Sequence, residues 1–139
     1  MTIRLAARTE ADNISSRLKE EVRLGALGER YNVDEGSIEL SIREGDLIWV
    51  DDADPRVFIW VHPTRGGHIE IVWIGAPSAR WLELFKWTTD ELLVRLFTVA
   101  DFRTGLPVAD RAALLTDATV TGNFATVRLT QAKAKLALL

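Results

Sequence analysis

The sequence predicts an α+β fold, with one mostly antiparallel central sheet and helices on both of its faces. Three observations lead to this prediction. Two short apolar runs, residues 56–62 and 69–75, are separated by a Pro/Gly-rich link. A helical period begins directly after the second run, from Ser78. Further alternating segments flank this unit on both sides. The 139 residues suit a single domain, 1–139, with a sizeable core.

The two apolar runs are predicted to form a central β-hairpin. They are rich in β-branched and aromatic residues, and both faces of each run are largely apolar, as in strands that are covered on both sides. The link over residues 63–67 contains Gly66 and Gly67, which permit the positive φ angles of a tight turn. Strict alternation along the second run places Ile74 on the same face as Glu70.

A helix is predicted to follow, with the Pro-Ser pair at residues 77–78 as its start signal. Apolar residues fall along one helical stripe, with two more beside it: Trp81, Phe85, Leu92, Leu96, and next to them Leu82 and Leu93. Residues 88–91 resemble a second capping box, so a break or kink is predicted there. A Trp at helical spacing is typical of a core, and Trp81 is therefore expected to be buried.

The segments before the hairpin predict strands and one helix. A short strand over residues 2–7 leads to Thr9, which is typical of an N-cap. A helix is predicted over residues 10–24 because its apolar residues share one face. Strands are then predicted over residues 37–42 and 46–50.

The segments after the predicted helix complete the sheet. A strand is predicted over residues 97–100, a helix is predicted to start at Pro107, and residues 118–121 and 124–130 are predicted to form a hairpin around a Gly-Asn turn. The C-terminal residues 131–139 are expected to be helical, with an end that is either frayed or docked on a partner. Their apolar end is a sign of assembly with another chain.

Composition excludes several classes of function. The chain has no Cys, and His62 and His68 are its two histidines, so the sequence predicts neither disulfides nor a metal site. Its net charge is −3 and its basic residues are scattered, which predicts no nucleic-acid partner. No apolar run approaches the roughly 20 residues that cross a membrane, and the first ten residues are too polar for a signal peptide. The acidic loop 51–54 is predicted to be a solvated turn.

Glu70 is the candidate catalytic residue. A carboxylate within an apolar strand is costly unless it is paired, hydrated or protonated. One interpretation is a general base. The other is a structural carboxylate that lies at the edge of a cleft and pairs with a nearby Arg.

The order of elements, together with two short segments, resembles the GNAT superfamily of N-acetyltransferases. The opening residues 2–12, TIRLAARTEAD, are similar to the usual first strand and capped helix of that family. Residues 70–74, EIVWI, resemble the fourth strand of histone-type members, in which the matching Glu is the general base. The resemblance implies a GNAT-like fold and, with Glu70 as base, acyl transfer from acetyl-CoA to an amine.

The turn that binds acetyl-CoA in this family differs here. Active members have an Arg/Gln-x-x-Gly-x-Gly/Ala turn, whose N–H groups and following helix hold the pyrophosphate. Residues 76–83 read APSARWLE and lack those glycines, and Pro77 removes one N–H donor. Many members also have a Tyr as general acid, whereas Tyr31 is the only tyrosine in this chain. If acetyl-CoA binds, the resemblance assigns it eight residues: Trp73, Ile74, Gly75, Ala76, Ser78, Ala79, Arg80 and Trp81.

Two functions are therefore carried forward. The first is a non-catalytic assembly or binding protein on a GNAT-like scaffold, without a cofactor and with protein partners or further copies of itself. Length and element order also resemble the small internal virion proteins of T7-like podophages, so this protein is expected in the virion or the cytoplasm. The alternative is an acyl-CoA-dependent N-acetyltransferase.

Overall fold

A computed structural model describes residues 2–10, 13, 16, 45–54, 57–75, 80–103 and 112–139. Seven strands form one sheet in the order β1-β2-β3-β4-β5-β7-β6. The strands are β1 (Ile3–Leu5), β2 (Leu47–Asp51), β3 (Phe58–Arg65), β4 (His68–Gly75), β5 (Val99–Arg103), β6 (Thr119–Thr121) and β7 (Phe124–Arg128). The described α-helices are α1 (Trp81–Val94) and α2 (Leu129–Leu136), a 3-10 helix spans Arg8–Glu10, and residues 112–115 are also helical.

The sheet confirms the predicted α+β class. Every neighbouring pair of strands is antiparallel except β4 and β5, which are parallel and joined through α1. Helices α1 and α2 pack on the same face of the sheet. Of the helix predicted over residues 10–24, residues 10, 13 and 16 are described, and 13 and 16 are helical. The strand predicted over 37–42 lies outside the described residues. Within the described ranges, no helix is long and apolar enough to span a membrane.

The central hairpin has a tighter turn than predicted. Strand β3 continues through Arg65, and the turn consists of Gly66 and Gly67, whose φ angles are +50° and +83°. Pro63 lies within the strand, where the pairing with β4 is irregular. A proline cannot donate to a strand ladder, and an irregular position tolerates that loss. The prediction that residues 63–65 belong to the link is therefore wrong.

Strand β4 contains a β-bulge. Two steps along β4, from Ile71 to Trp73, match the single step from Val61 to Trp60 on β3. Val72 is consequently an extra residue that has no opposite partner on β3. A bulge bends its strand and increases the local twist, and bulges are common beside active sites.

The bulge reverses the predicted orientation of Ile74. Strict alternation predicts that Ile74 shares a face with Glu70, but Ile74 is buried in the core together with Ile69 and Ile71. Since side chains alternate with a period of two, one inserted residue moves the following side chains to the other face. The prediction for Ile74 is wrong for this reason.

Helix α1 runs without a break through residues 88–91. The hydroxyl groups of Thr88 and Thr89 donate to the carbonyl oxygens of Leu84 and Phe85, over 2.7 and 2.9 Å. Both threonines are buried, and their polar atoms are satisfied within the helix itself. They do not cap a new helix, so the predicted break at residues 88–91 is wrong.

The apolar stripe of α1 is only partly the predicted one. Trp81, Phe85 and Leu92 are buried as predicted, and Leu84 is completely buried beside them. Leu96 is 83% exposed, because it follows the end of the helix and has a φ angle of +69°. Its predicted place in the core is therefore wrong.

Helix α1 packs against the sheet through two aromatic contacts. The ring of Trp87 meets that of Trp49 on β2 edge to face, with centroids 5.9 Å apart, and Phe85 meets Phe102 on β5 in the same way at 6.0 Å. Such pairs stabilise by about 1 kcal/mol beyond the burial of their area. Helix α1 therefore connects strands on both sides of β3 and β4.

The C-terminal segment is helical, as predicted, but it belongs to the core. Helix α2 begins at Leu129, directly after β7, and buries Leu129, Ala132 and Leu136 against α1 and the sheet. Leu138 is 82% exposed. The body of the helix therefore packs in the core of the same chain, and docking of the last residues on a partner stays a prediction.

Candidate active site

Strands β4 and β5 diverge at the centre of the sheet. Their pairing begins with His68 opposite Val99 and ends with Ile71 opposite Phe102, whereas β4 continues to Gly75. The divergence begins at the bulged residue Val72. Within the described residues, β5 pairs with no part of residues 72–75, and we call the gap that this leaves between the two strands the cleft.

Polar residues form a row near this cleft, on the sheet face opposite α1 and α2. The register places His62 on β3 opposite Glu70 on β4, Glu70 opposite Asp101 on β5, and Asp101 opposite Thr126 on β7. Opposed residues point to the same face and lie on strands about 4.8 Å apart. The hydroxyl of Thr126 donates to the Asp101 carboxylate over 2.5 Å. Glu70 lies one residue before the end of the β4–β5 pairing, so it belongs to the edge of the cleft.

Asp46 extends this row to the start of β2. Its side chain is only 2% exposed. The indole N–H of Trp60 donates to one carboxylate oxygen over 2.6 Å, and Nδ1 of His62 lies 2.5 Å from the other. Both oxygens of a buried carboxylate are therefore hydrogen-bonded, as burial of a charge requires. The His62 side chain is 47% exposed, so the imidazole is held by Asp46 and is partly accessible to solvent.

A second cluster lies at the start of α1, at the other end of the cleft. The Arg80 guanidinium is 3.5 Å from the carboxylate of Asp51, 3.6 Å from that of Asp54 and 3.7 Å from that of Glu83. The Asp51 side chain is 3% exposed and also accepts the N–H of Ala53 over 2.9 Å. We call Arg80 and these three carboxylates the Arg80 cluster. Asp51 and Asp54, two residues of the acidic loop 51–54, thus pair with the Arg80 guanidinium. The prediction of a solvated turn is wrong for Asp51, because its side chain is buried.

The predicted site residues lie at different points along the cleft. Glu70 is half-buried in the polar row, Ile74 is buried in the core, and Arg80 and Trp81 form the start of α1. The backbone of Trp73 and Gly75 belongs to the last part of β4. Ala76, Ser78 and Ala79 lie outside the described residues. The described residues of the predicted site therefore lie along β4 and at the start of α1.

The sequence-based prediction missed Asp46 and His62 as site residues. His62 was considered only as a possible metal ligand, and Asp46 only as the first residue of a strand. Two features of the sequence could have indicated them. His62 is the only histidine in the apolar run 56–62, and Asp46 begins the preceding predicted strand, 46–50. In the described part of the chain, no three His, Asp or Glu residues form a group that could hold a metal ion.

Comparison with solved structures shows that the fold is GNAT-like. The chain is similar to an acetyltransferase of the GNAT family from Listeria monocytogenes 4b F2365, with a TM-score of 0.64 and 10% identity over 91% of this chain and 93% of that chain. It is also similar to an aminoglycoside 6'-acetyltransferase type Ii, with a TM-score of 0.63 and 14% identity over 93% of this chain and 97% of that chain. An N-acetyltransferase from Staphylococcus aureus Mu50 gives a TM-score of 0.62 and 12% identity over 92% and 98% of the two chains.

These identities establish the fold alone. The sequence matches no protein-family model and no curated protein sequence. The predicted GNAT-like α+β fold is thus confirmed, and a fold does not by itself define an activity.

Proposed function

We propose that this protein is an N-acyltransferase that uses an acyl-CoA thioester as donor and an amine as acceptor, with Glu70 as general base. The observation that carries this proposal is the divergence of β4 from β5 one residue after Glu70. Within the described residues, this divergence leaves the edge of residues 72–75 without a strand partner, beside a half-buried carboxylate. The edge can bind an extended, amide-containing chain, and the carboxylate can take a proton from an amine that lies next to it.

The pantetheine arm of acyl-CoA fits this cleft. It carries two amide groups, and the backbone of Trp73, Ile74 and Gly75 would hold them on the edge that β5 leaves open. Arg80, at the first turn of α1, would meet the phosphates, where an α-helix favours an anion. The bound thioester supplies the activated acyl group.

Glu70 has a defined task in this mechanism. An amine that attacks a carbonyl carbon gains positive charge and has to lose a proton. Glu70 lies at the near end of the cleft, where it can accept that proton, and Asp101, on the next strand, accepts the Thr126 hydroxyl. Strand β4 holds Glu70 rigidly, because it pairs with β3 and β5 at this position.

A transfer assay with a panel of amines tests this proposal. Glu70→Gln should lower kcat by about 100-fold or more, while the Kd of acetyl-CoA measured by calorimetry stays the same. Glu91→Gln is the matched control, since Glu91 pairs with Arg95 on the surface of α1, away from the polar row. A wild-type protein that binds acetyl-CoA but acylates no amine would contradict the proposal, and so would a Glu70→Gln variant with normal turnover.

The Arg80 cluster favours a second candidate, a non-catalytic assembly or binding protein on this fold. Three carboxylates lie within 4 Å of the one guanidinium that would meet the phosphates. An incoming pyrophosphate would compete with them for Arg80 and would meet their negative charge. Under this candidate acetyl-CoA gives no heat and no thermal shift at millimolar concentration. Micromolar binding by the wild-type chain would exclude it. A role in a virion stays a prediction of this second candidate.

A further inference from the structure

His62 is held in a single orientation by a buried carboxylate. Asp46 accepts the indole N–H of Trp60 with one oxygen, and its other oxygen lies 2.5 Å from Nδ1 of His62. An ionised carboxylate can only accept hydrogen bonds, so Nδ1 of His62 is the donor. The neutral imidazole then has its lone pair on Nε2, the ring nitrogen that does not contact Asp46, and the side chain is 47% exposed.

His62 and Glu70 lie on the same face of the sheet. The two residues are opposite each other on β3 and β4, so their side chains are neighbours on one face of the sheet. A base that is itself oriented by a third group is the arrangement that activates proton transfer in many enzymes. The sequence-based prediction assigns His62 no such role, and the proposed mechanism so far uses Glu70 alone.

We propose that His62, oriented by Asp46, is a second catalytic base, which takes the first proton from a protonated amine acceptor. This inference rests on the proposed N-acyltransferase function and adds a residue to it. It also indicates the class of acceptor: a primary amine that is protonated at neutral pH and enters over the polar row. Glu70 then acts on the same nitrogen at a later stage.

Acyl transfer to such an amine requires two proton removals, and the site provides two bases. The ammonium group loses one proton to Nε2 of His62, which leaves a lone pair on the nitrogen. A bond forms between this nitrogen and the thioester carbonyl carbon, and the C–S bond breaks, with its electron pair remaining on the sulfur. Glu70 takes the second proton from the nitrogen and passes it to the sulfur. The proton on His62 goes to solvent, so one acceptor and one thioester give one amide, one thiol and one proton.

Among the described residues, two carboxylates lie next to His62. The titratable side chains that face it are Asp46, at the start of β2, and Glu70, on β4. Asp101 follows one strand further along the row. A base that deprotonates the acceptor matters most where that amine is protonated, so the contribution of His62 should depend on pH in a way that a structural role would not.

The test compares three variants over the pH range 6 to 9.5, in assays of acetyl transfer to a primary amine. His62→Gln removes the base, Asp46→Asn removes the carboxylate that fixes its tautomer, and His68→Gln is the matched control for the other histidine. We expect His62→Gln and Asp46→Asn to lower kcat/KM at pH 7 by about tenfold or more. The deficit should shrink toward pH 9.5, because a larger fraction of the amine is then already deprotonated. His68→Gln should match the wild type throughout.

A spectroscopic readout separates geometry from turnover. In the His68→Gln variant, the remaining imidazole belongs to His62, so its 15N signals are assigned without ambiguity. They should show the tautomer protonated on Nδ1, and the additional Asp46→Asn change should remove that preference. Far-UV circular dichroism and the Tm of each variant check that the fold is kept.

Each outcome decides between the proposals. A His62→Gln variant with the wild-type pH profile, or with the same deficit at every pH, overturns the role of His62 while the acyltransferase proposal stands. A His62 imidazole protonated on Nε2 overturns the inference as well. A wild-type protein that acylates none of the amines overturns the proposed function and the inference together.

Discussion

Thr98 is bound to Gly67 twice, by its backbone N–H over 2.8 Å and by its hydroxyl over 3.4 Å, and both groups donate to the Gly67 carbonyl. This contact joins the β3–β4 turn to the start of β5. A Cβ at Gly67 would lie 3.0 Å from the Thr98 hydroxyl oxygen, and Gly67 has a φ angle of +83°.

Gly67→Ala should therefore destabilise the fold by about 2 kcal/mol, from an unfavourable φ angle and a close contact. Gly66→Ala is the matched control, because Gly66 also has a positive φ angle but nothing lies within 4 Å of its Cβ position. Its cost should be about 1 kcal/mol. Urea unfolding of both variants measures the difference, and equal losses would show that the contact with Thr98 adds nothing.

Leu84→Ala should cost about 3 kcal/mol in the free energy of unfolding, because it leaves a cavity in a completely buried position. Leu96→Ala should cost less than about 0.5 kcal/mol, since that side chain is 83% exposed. Chemical denaturation of the two variants checks the contrast. A large decrease in the free energy of unfolding for Leu96→Ala would indicate that Leu96 belongs to the apolar face of the helix, as the sequence predicts.

Removal of residues 129–139 should abolish cooperative thermal unfolding. Helix α2 buries Leu129, Ala132 and Leu136, and its loss would expose the facing side of α1 and the sheet. Removal of residues 137–139 alone should change the free energy of unfolding by less than about 0.5 kcal/mol. Differential scanning calorimetry compares the two truncations. If the longer truncation unfolds like the full chain, α2 serves a partner and not the fold.

The ion pair between Arg4 and Asp52 should make stability depend on pH. The Arg4 guanidinium donates two hydrogen bonds to Asp52, over 2.8 and 2.9 Å, and holds the pKa of that carboxyl below its ordinary value of 3.8. A lowered pKa in the folded state stabilises the fold above that value, and this stabilisation is lost as the pH falls below 3.8 toward the folded pKa.

Asp52→Asn should accordingly be less stable than the wild type at pH 7 and equal to it at the acidic end of the range. Urea unfolding of the wild type, Asp52→Asn, Arg4→Gln and the double variant gives the coupling between the two residues at each pH. A coupling that persists unchanged at pH 2.5 would contradict the assignment.

The Arg80 cluster should limit the affinity for acetyl-CoA. Asp54→Asn or Glu83→Gln removes one carboxylate next to Arg80, so each should tighten binding by about fivefold, or ~1 kcal/mol. Asp90→Asn is the control, because Asp90 lies near the end of the same helix and pairs with Lys133. Calorimetry measures the three values. Weaker binding in the first two variants would mean that the carboxylates hold Arg80 in the position that binds phosphate.

The sequence predicts the strands and helices of this fold better than it predicts the site. Alternation and apolar periodicity locate β3, β4 and α1, because these patterns reflect burial directly. The bulge at Val72 is invisible to them, since nothing in the local pattern marks an inserted residue. Asp46 and His62 are 16 residues apart, and only the register of β2 on β3 brings them together. Long-range pairing of this kind is a property of the sheet and not of any local pattern.

The position of β5 in the sheet has a consequence for synthesis of the chain. On one side β5 pairs with β4, and on the other with β7, which ends at Arg128. While the ribosome is still making residues after 75, the free edge of β4 carries unpaired backbone groups and apolar side chains. The edge of β4 is covered only when β5 has emerged, and the edge of β5 only when β7 has followed. A nascent chain that stalls between residues 75 and 128 is therefore the species most exposed to aggregation or to capture by a chaperone.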